Sequence, residues 1–196
     1  MRPSPLYRVA ALVVWPFLRF VLRLETHGRE HLPPDGGFVL AANHNSNFDP
    51  WPLGTPLYPH RFLRFMAKSE LYWWPLRGLL NAAGAFPVRR GERDEQAIET
   101  AVELCRAGNC VVMFPEGTRR RKGLRKKWEA RAHTGAARIA LLAEVPLVPA
   151  AIKGTDELAR LGKLKVAYGE PLPPEGTPQE LTDRLMAEID RLHETL

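Results

Sequence analysis

Residues 38–49 read FVLAANHNSNFD, an uninterrupted apolar run followed directly by seven mostly polar residues. A short continuous apolar run is typical of a buried strand in a parallel sheet. Polar side chains that follow such a strand are often displayed at the opening of a site, at the carboxyl edge of the sheet. This stretch therefore predicts a buried central strand and the edge at which the chemistry of the protein lies.

The chain on either side of this stretch alternates between strand-like and helix-like segments. Further strands are predicted at 22–27, 62–67, 86–88, 110–114, 147–152 and 164–168, and helices at 93–107, 134–144 and 178–193. Alternation of this kind predicts one α/β domain, residues 22–196, with a largely parallel central sheet flanked by helices.

Residues 1–21 are predicted to form an amphipathic helix that precedes this domain. The longest uncharged apolar run within it, Val9 to Leu18, is ten residues, whereas a transmembrane helix needs about 20. A signal peptide would need a small-residue cleavage site after the apolar run, and Arg19, Phe20 and Arg23 stand there instead. We therefore expect neither a membrane span nor a secretion signal.

A helical wheel of this segment places its arginines beside an apolar flank. The arginines are Arg8, Arg19 and Arg23, and the flank consists of Val9, Val13, Phe17, Phe20 and Leu24, with Trp15 near the arginine edge. This pattern fits a helix that lies in the plane of a membrane interface, and it equally fits a helix packed on its own domain. Pro16 is expected to kink or divide the helix.

The overall composition is that of a folded, basic protein. Apolar residues make up 45% and charged residues 26% of the 196 residues, which excludes a disordered chain. The 28 Lys and Arg residues exceed the 22 Asp and Glu residues, and the net charge of +6 indicates an anionic partner. The two cysteines, Cys105 and Cys110, are expected to be free thiols, so a disulfide scaffold is excluded.

The polar residues after the first strand contain a candidate acid–base pair, His44 and Asp49. Histidine is the usual general base near neutral pH because its ordinary pKa is about 6.5. A carboxylate bonded to one ring nitrogen would fix the tautomer and stabilise the imidazolium. A five-residue offset fits a turn that leads into a helix. The alternative is structural, with Asp49 as the N-cap before Pro50 and His44 as a satisfied buried histidine.

Three further segments place candidate anion-binding residues after strand-like runs. FPEGTR at 114–119 offers a turn at Gly117, whose amides can face an anion, and the planar fork of Arg119. GAFPVRR at 84–90 ends in two arginines, and Lys68 follows the predicted strand 62–67. Taken singly, the Pro-Glu-Gly segment is simply a tight turn, and the arginines at the end of GAFPVRR are simply solvated cations.

Together and in this order, the segments resemble the glycerolipid acyltransferase family, typified by 1-acyl-glycerol-3-phosphate acyltransferase. That family is marked by Asn-His-x-x-x-x-Asp, a glycine-to-arginine segment, Phe-Pro-Glu-Gly-Thr-Arg and a Val-Pro-x-x-Pro strand. The last block corresponds here to VPLVP at 145–149. The resemblance covers about residues 22–172.

The resemblance implies specific roles for the residues in these blocks. His44 would be the general base and Asp49 its orienter. The glycerol-phosphate end of a lysophospholipid acceptor would be bound by Lys68, Arg90, Glu116, Gly117, Thr118 and Arg119. There are two departures from the family pattern, Arg89 in place of an acidic residue and Arg120 in place of a serine. Both add positive charge beside the expected phosphate site, so the pattern does not fix which acceptor headgroup is preferred.

The reaction implied is direct transfer from an acyl thioester, either acyl-CoA or acyl-ACP, with no bound cofactor. A covalent acyl-enzyme would need an activated Ser or Cys, and none of the three serines, Ser4, Ser46 and Ser69, lies in a Gly-x-Ser-x-Gly elbow. A metal is not expected, because no nearby His or Cys completes a ligand set with His44 and Asp49. Alternatives are a relative with another acceptor (glycerol-3-phosphate, another lysophospholipid or a glycolipid) and a non-enzymatic basic module that binds membrane or nucleic acid.

The densest positive charge lies in residues 119–138, where nine Lys and Arg residues accompany a single acidic residue, Glu129. With Trp128 among them, these cations fit an anionic leaflet, the phosphates of coenzyme A or an acidic carrier protein. They are also an electrostatic footprint for nucleic acid, but no recognisable nucleic-acid module accompanies them. Together with the N-terminal helix, this run predicts peripheral attachment at the cytoplasmic face of the cell membrane and no nucleic-acid partner.

Overall fold

The computed structural model describes residues 4–58, 61, 63–89, 95–117 and 132–196. Within these residues seven strands form one sheet: β1 (Glu25–His27), β2 (Phe38–Ala42), β3 (Leu63–Lys68), β4 (Ala85–Val88), β5 (Cys110–Met113), β6 (Leu147–Lys153) and β7 (Lys165–Tyr168). Their order is β1–β7–β6–β2–β5–β3–β4. Every neighbouring pair is parallel except β6 with β7. The predicted α/β fold with a largely parallel central sheet is confirmed.

Helices cover both faces of this sheet. They are α1 (Pro5–Pro16), α2 (Pro50–Gly54), α3 (Leu76–Ala82), α4 (Glu95–Arg106), α5 (Gly135–Ala143) and α6 (Pro178–Thr195). On the central strand β2, Val39 and Ala41 belong to the core beneath α4, α5 and α6. Phe38, Leu40 and Ala42 belong to the core beneath α2 and the N-terminal segment. Because both faces are covered, β2 is apolar at every position.

Of two short helices, α2 begins at Pro50, as the expected helix start after Asp49 implies, whereas α3 was not predicted from the sequence. The sequence of α2 is PWPLG, whose two prolines and glycine disfavour a helix on propensity alone. Helix α3 has seven residues and buries none of them completely, so it has no periodic apolar face to detect. The predicted start of α4 at Arg93 lies outside the described residues.

The N-terminal helix is present, and Pro16 divides it. Ser4 caps α1 by accepting a hydrogen bond from the Tyr7 amide. The regular α-helix ends at Pro16, which has no amide hydrogen to donate, and one π-helical turn follows at Phe17–Val21. Within the described residues, no helix has the length and apolar content needed to cross a membrane.

The first strand begins later than predicted, at Glu25. Leu22 and Leu24 are buried in the core beneath α2, and Arg23 between them has a φ of 46°, so these residues form a connection and not an extended strand. The wheel had placed Leu24 on the same flank as four residues that are exposed. That assignment of Leu24 is wrong, because the helical segment ends at Val21 and the chain turns at Arg23, so a helical wheel does not apply to Leu24.

The five strands β2 to β6 run in the same direction, so their carboxyl ends lie at one edge of the sheet. The segments that leave this edge are 43–49 after β2, 69–75 after β3, Arg89 after β4, 114–117 after β5 and 154–155 after β6. The candidate site is built from these segments.

Candidate active site

His44 and Asp49 are joined by a direct hydrogen bond in the loop that follows β2. His44 Nδ1 lies 2.8 Å from Asp49 Oδ2, and both side chains are buried. A carboxylate only accepts hydrogen bonds, so Nδ1 carries the proton and donates it. The other ring nitrogen, Nε2, is thereby left with its lone pair available for a proton.

Asp49 receives three more hydrogen bonds. The backbone amides of Asn45 and Ser46 each donate to Oδ2 at 2.8 Å. The hydroxyl of Thr155, which is also buried, donates to Oδ1 at 2.5 Å. Burying a carboxylate without partners costs several kcal/mol, so these donors explain how Asp49 can be completely shielded from solvent.

The structural alternative for Asp49 fails in one respect, since its side chain does not cap α2. Asp49 does precede α2, but its backbone is helical and its side chain makes no capping hydrogen bond with that helix. The carboxylate turns back onto the preceding loop and onto His44. The side chain therefore orients the histidine and organises its own loop.

The ring of His44 is held from a second side by Phe114, the first residue of the FPEG turn. The two rings are stacked, with centroids 4.1 Å apart and an interplanar angle of 18°. This contact brings the Asn-His segment against the Phe-Pro-Glu-Gly segment. Within the described part of the chain, His44 Nε2 has no hydrogen-bond partner.

Two asparagines tie the loop to the end of β6. Asn43 donates to the Ile152 carbonyl at 2.9 Å and accepts from the Ile152 amide at 2.8 Å. Asn45 donates to the same carbonyl at 3.0 Å. These bonds hold the loop to a neighbouring strand, so His44 is positioned by the sheet and not by its own loop alone.

The FPEG turn is closed by a hydrogen bond from the Gly117 amide to the Phe114 carbonyl, 3.0 Å. Gly117 has a φ of +67°, and a Cβ there would lie 2.6 Å from Cδ2 of His133. Only glycine fits this position without a shift of the neighbouring ring. Glu116 is half-buried beside it.

The structure places some of the predicted anion-binding residues and leaves others undescribed. Lys68 is the exposed last residue of β3, at the same edge as His44, and its Cα pairs with that of Val88. Arg90, Thr118 and Arg119 lie outside the described residues, as do Arg120 and the basic run as far as Arg131. Arg138, counted with that run, forms an ion pair of 2.8 Å with Glu95.

The cysteines do not offer a covalent nucleophile at this site, and none of the three serines lies in a Gly-x-Ser-x-Gly elbow. Burial raises the pKa of the Cys105 thiol to about 12 and that of Cys110 well above its ordinary range, so both are protonated at neutral pH. Cys110 begins β5 and therefore lies at the opposite edge of the sheet. The Ser46 hydroxyl accepts a hydrogen bond from the Phe48 amide at 3.3 Å.

Thr155 is the residue that the sequence interpretation missed. It lies 106 positions from Asp49 along the chain. It nevertheless directly follows a predicted strand and a glycine, Gly154, whose φ is +94°. That position after a strand is the signal that could have found it. Among the described residues, no group of three or more His, Cys, Asp or Glu side chains is placed to hold a metal ion.

Comparisons with known proteins agree with this geometry. The acyltransferase family model matches residues 23–153. A 1-acyl-sn-glycerol-3-phosphate acyltransferase of Bacillus subtilis is 36% identical over 76% of this chain and 73% of its own length. The human 1-acyl-sn-glycerol-3-phosphate acyltransferase alpha is 31% identical over 84% of this chain and 61% of its own.

The fold is also similar to a solved structure of related function. The crystal structure of the 1-acyl-sn-glycerophosphate acyltransferase of Thermotoga maritima superposes with a TM-score of 0.70 at 25% identity. The match covers 97% of this chain and 78% of the other.

Proposed function

Because the chain belongs to the acyltransferase family, we propose that it moves a fatty acyl group from an acyl thioester to the free hydroxyl of 1-acyl-glycerol-3-phosphate, which gives phosphatidic acid. The similarity to relatives named for this acceptor supports the substrate. The observation that carries the reaction type is the buried His44–Asp49 pair at the carboxyl edge of the sheet.

His44 acts as the general base in this mechanism. Its Nε2 accepts the proton of the acceptor hydroxyl while the hydroxyl oxygen attacks the thioester carbonyl carbon. Asp49 keeps Nδ1 protonated and stabilises the imidazolium that forms. When the tetrahedral intermediate collapses, the carbon–sulfur bond breaks and the thiolate takes the proton back from His44. General-base catalysis of this kind contributes about 10²–10⁴-fold to the rate.

The phosphate of the acceptor binds the cationic side chains at the same edge. Lys68 is exposed there, and the family pattern adds Arg90 and Arg119. In the same pattern Glu116, Gly117 and Thr118 complete the site for the glycerol-phosphate end of the acceptor. Cationic donors make the strongest hydrogen bonds to phosphate oxygens. The donor is acyl-CoA or acyl-ACP, and no bound cofactor takes part.

The N-terminal segment, residues 1–21, attaches the domain to the cytoplasmic face of the membrane. The two interpretations of this helix turn out to be compatible. Tyr7 and Leu18 are buried against the domain, while Val9, Val13 and Phe20 point outward and are exposed. An apolar outer face of this kind lies in the headgroup region of a bilayer, where a lysophospholipid also resides.

The test is release of free thiol from an acyl-CoA in the presence of lysophosphatidic acid, with phosphatidic acid identified by mass spectrometry. We expect thiol release that depends on the acceptor. A panel of other acceptors is tested in parallel. If glycerol-3-phosphate or a lysophospholipid with a larger headgroup is preferred, that compound replaces lysophosphatidic acid as the assigned acceptor. No thiol release from either acyl-CoA or acyl-ACP with any acceptor would overturn the function.

A further inference from the structure

A second exposed apolar segment follows β3, at residues 71–82. Trp73 and Trp74 are 60% and 88% exposed, and Leu79 on α3 is 53% exposed. Helix α3 contains no completely buried residue. Tryptophan is mostly buried in soluble proteins, and adjacent exposed apolar side chains mark an interaction surface.

This segment adjoins the N-terminal helix. The Ser4 hydroxyl, which caps α1, donates to the Ala82 carbonyl at the end of α3, 2.8 Å away. Helices α1 and α3 also contact each other directly. Exposed apolar side chains are therefore concentrated on two adjoining segments, here called the apolar platform: Leu6, Val9, Leu12, Val13, Trp15, Phe17, Phe20, Val21, Leu71, Trp73, Trp74 and Leu79.

The charge of the platform is of one sign. Residues 4–24 and 71–82 contain no Asp or Glu, and their charged residues are Arg8, Arg19, Arg23 and Arg77. All four arginines are exposed. An apolar surface whose own charged side chains are all cationic, with the exposed Glu70 just outside it before Leu71, is complementary to an anionic leaflet, where each such cation contributes about 1 kcal/mol. Tryptophan is the residue type enriched at membrane interfaces.

We infer that residues 71–82 are a second membrane-insertion element, which together with the N-terminal helix attaches the domain to an anionic phospholipid bilayer at two places. This inference rests on the proposed function, in which the acceptor is a membrane lipid. A single interfacial helix leaves rotation about its axis unrestrained. A second contact removes that freedom.

The second contact also determines which part of the molecule faces the lipid. Residue 71 comes three positions after Lys68, the end of β3, so the segment leaves the sheet at the edge that carries His44. Attachment through the beginning of the segment, at Trp73 and Trp74, brings the carboxyl edge to the bilayer, while α3 returns toward the start of β4 at the opposite edge. The acceptor then reaches His44 by diffusion within the leaflet.

The experiment compares two leucines of equal exposure on different faces. Leu79 on α3 is 53% exposed and Leu142 on α5 is 51% exposed, and each is changed to Glu in the full chain. Flotation with vesicles of phosphatidylcholine and phosphatidylglycerol gives the partition coefficient. We expect Leu79→Glu to lower it at least about tenfold, and Leu142→Glu to leave it within about twofold of wild type. The double variant Trp73→Ala/Trp74→Ala is expected to behave like Leu79→Glu and carries the test if Leu79→Glu does not fold.

Equal partitioning of all these variants and wild type would overturn the inference. So would light scattering that shows a wild-type dimer dissociated by Leu79→Glu with unchanged vesicle binding, because the face would then be an interface between two copies. Turnover of a short-chain, water-soluble lysophosphatidic acid is measured in parallel. A wild type that binds vesicles through the platform but turns over no acceptor contradicts the proposed function and leaves the inference standing.

Discussion

The loop at 43–49 and the apolar platform are opposite departures from the usual arrangement of a folded domain. The loop buries a histidine and a carboxylate, and the platform exposes tryptophans and leucines. The free-energy cost of burying the polar groups of the loop is offset within the chain, since Asp49 alone accepts four hydrogen bonds. The cost of exposing the apolar side chains of the platform is not offset by any contact among the described residues. A compensated buried polar group indicates a site that is organised for chemistry, whereas an uncompensated apolar surface indicates a second phase or partner.

The largest effect is expected from removal of the base. His44→Ala should lower the transfer rate by about 10²–10⁴-fold, because the acceptor hydroxyl loses its proton acceptor. His27→Ala is the control, since His27 is an exposed histidine at the end of β1, at the sheet edge opposite to His44. Both variants are checked for folding by thermal unfolding. A folded His44→Ala variant with full activity would rule out the assigned role.

A similar loss of activity, now with a loss of stability, is expected for Asp49→Asn. The amide cannot accept all four hydrogen bonds, and leaving buried donors unpaired costs about 1–3 kcal/mol each. We therefore expect a lower free energy of unfolding in urea together with at least about a hundredfold loss of turnover. Asp35→Asn, at an exposed carboxylate, should change neither quantity. An Asp49→Asn variant as stable as wild type would show that the buried carboxylate is not compensated as described.

A smaller effect is expected at Thr155. Two variants at this position separate the effect of losing the hydrogen bond from the effect of changing the shape of the side chain. Thr155→Val removes the donor to Asp49 Oδ1 at nearly constant volume and should lower kcat about tenfold with little change in the acceptor KM. Thr155→Ser keeps the hydroxyl and should retain most of the activity. The comparison is made from initial rates over a range of acceptor concentrations. If the serine and valine variants are equally impaired, the hydroxyl is not what positions Asp49.

The smallest effect on catalysis is expected from the thiols. Because burial raises the pKa of Cys105 to about 12, a thiol reagent at pH 8 should label neither cysteine until the protein is unfolded. The folded state holds these protons more tightly than the unfolded state does, so the thiols' contribution to folding stability is complete at low pH. For Cys105 this contribution is lost as pH rises from the ordinary thiol pKa of 9.0 toward 12. Rapid labelling of the native protein with loss of activity would instead support a mechanism through a covalent acyl-cysteine.

Much of the His44 site could be predicted from sequence because its information is local. A buried strand, the residues that follow it and a five-residue spacing made His44 and Asp49 a candidate pair, and the family resemblance favoured this pairing over the N-cap alternative. Thr155 could not be assigned, because its contact requires knowing that β6 lies beside β2 in the sheet. The hydrogen bonds from Asn43 and Asn45 to Ile152 depend on the same fact.

The platform was predicted only in part, for a different reason. The helical wheel identified an apolar flank in the N-terminal segment but could not separate exposed from buried positions after Pro16, where the π-helical turn changes the phase. From sequence alone, an apolar stretch such as the one that contains Trp73 and Trp74 normally indicates a core. Only the exposure of the two side chains in the folded chain shows that this stretch faces outward.

The central claim is that the loop performs the chemistry and the platform delivers the membrane substrate. It is tested most directly by measuring transfer by wild type, His44→Ala and Trp73→Ala/Trp74→Ala on two acceptors, lysophosphatidic acid in vesicles and a short-chain, water-soluble form. The account predicts that His44→Ala is inactive on both acceptors, whereas the double tryptophan variant loses activity on vesicles alone. Near-wild-type activity of His44→Ala, or an equal loss on both acceptors in the tryptophan variant, would contradict it.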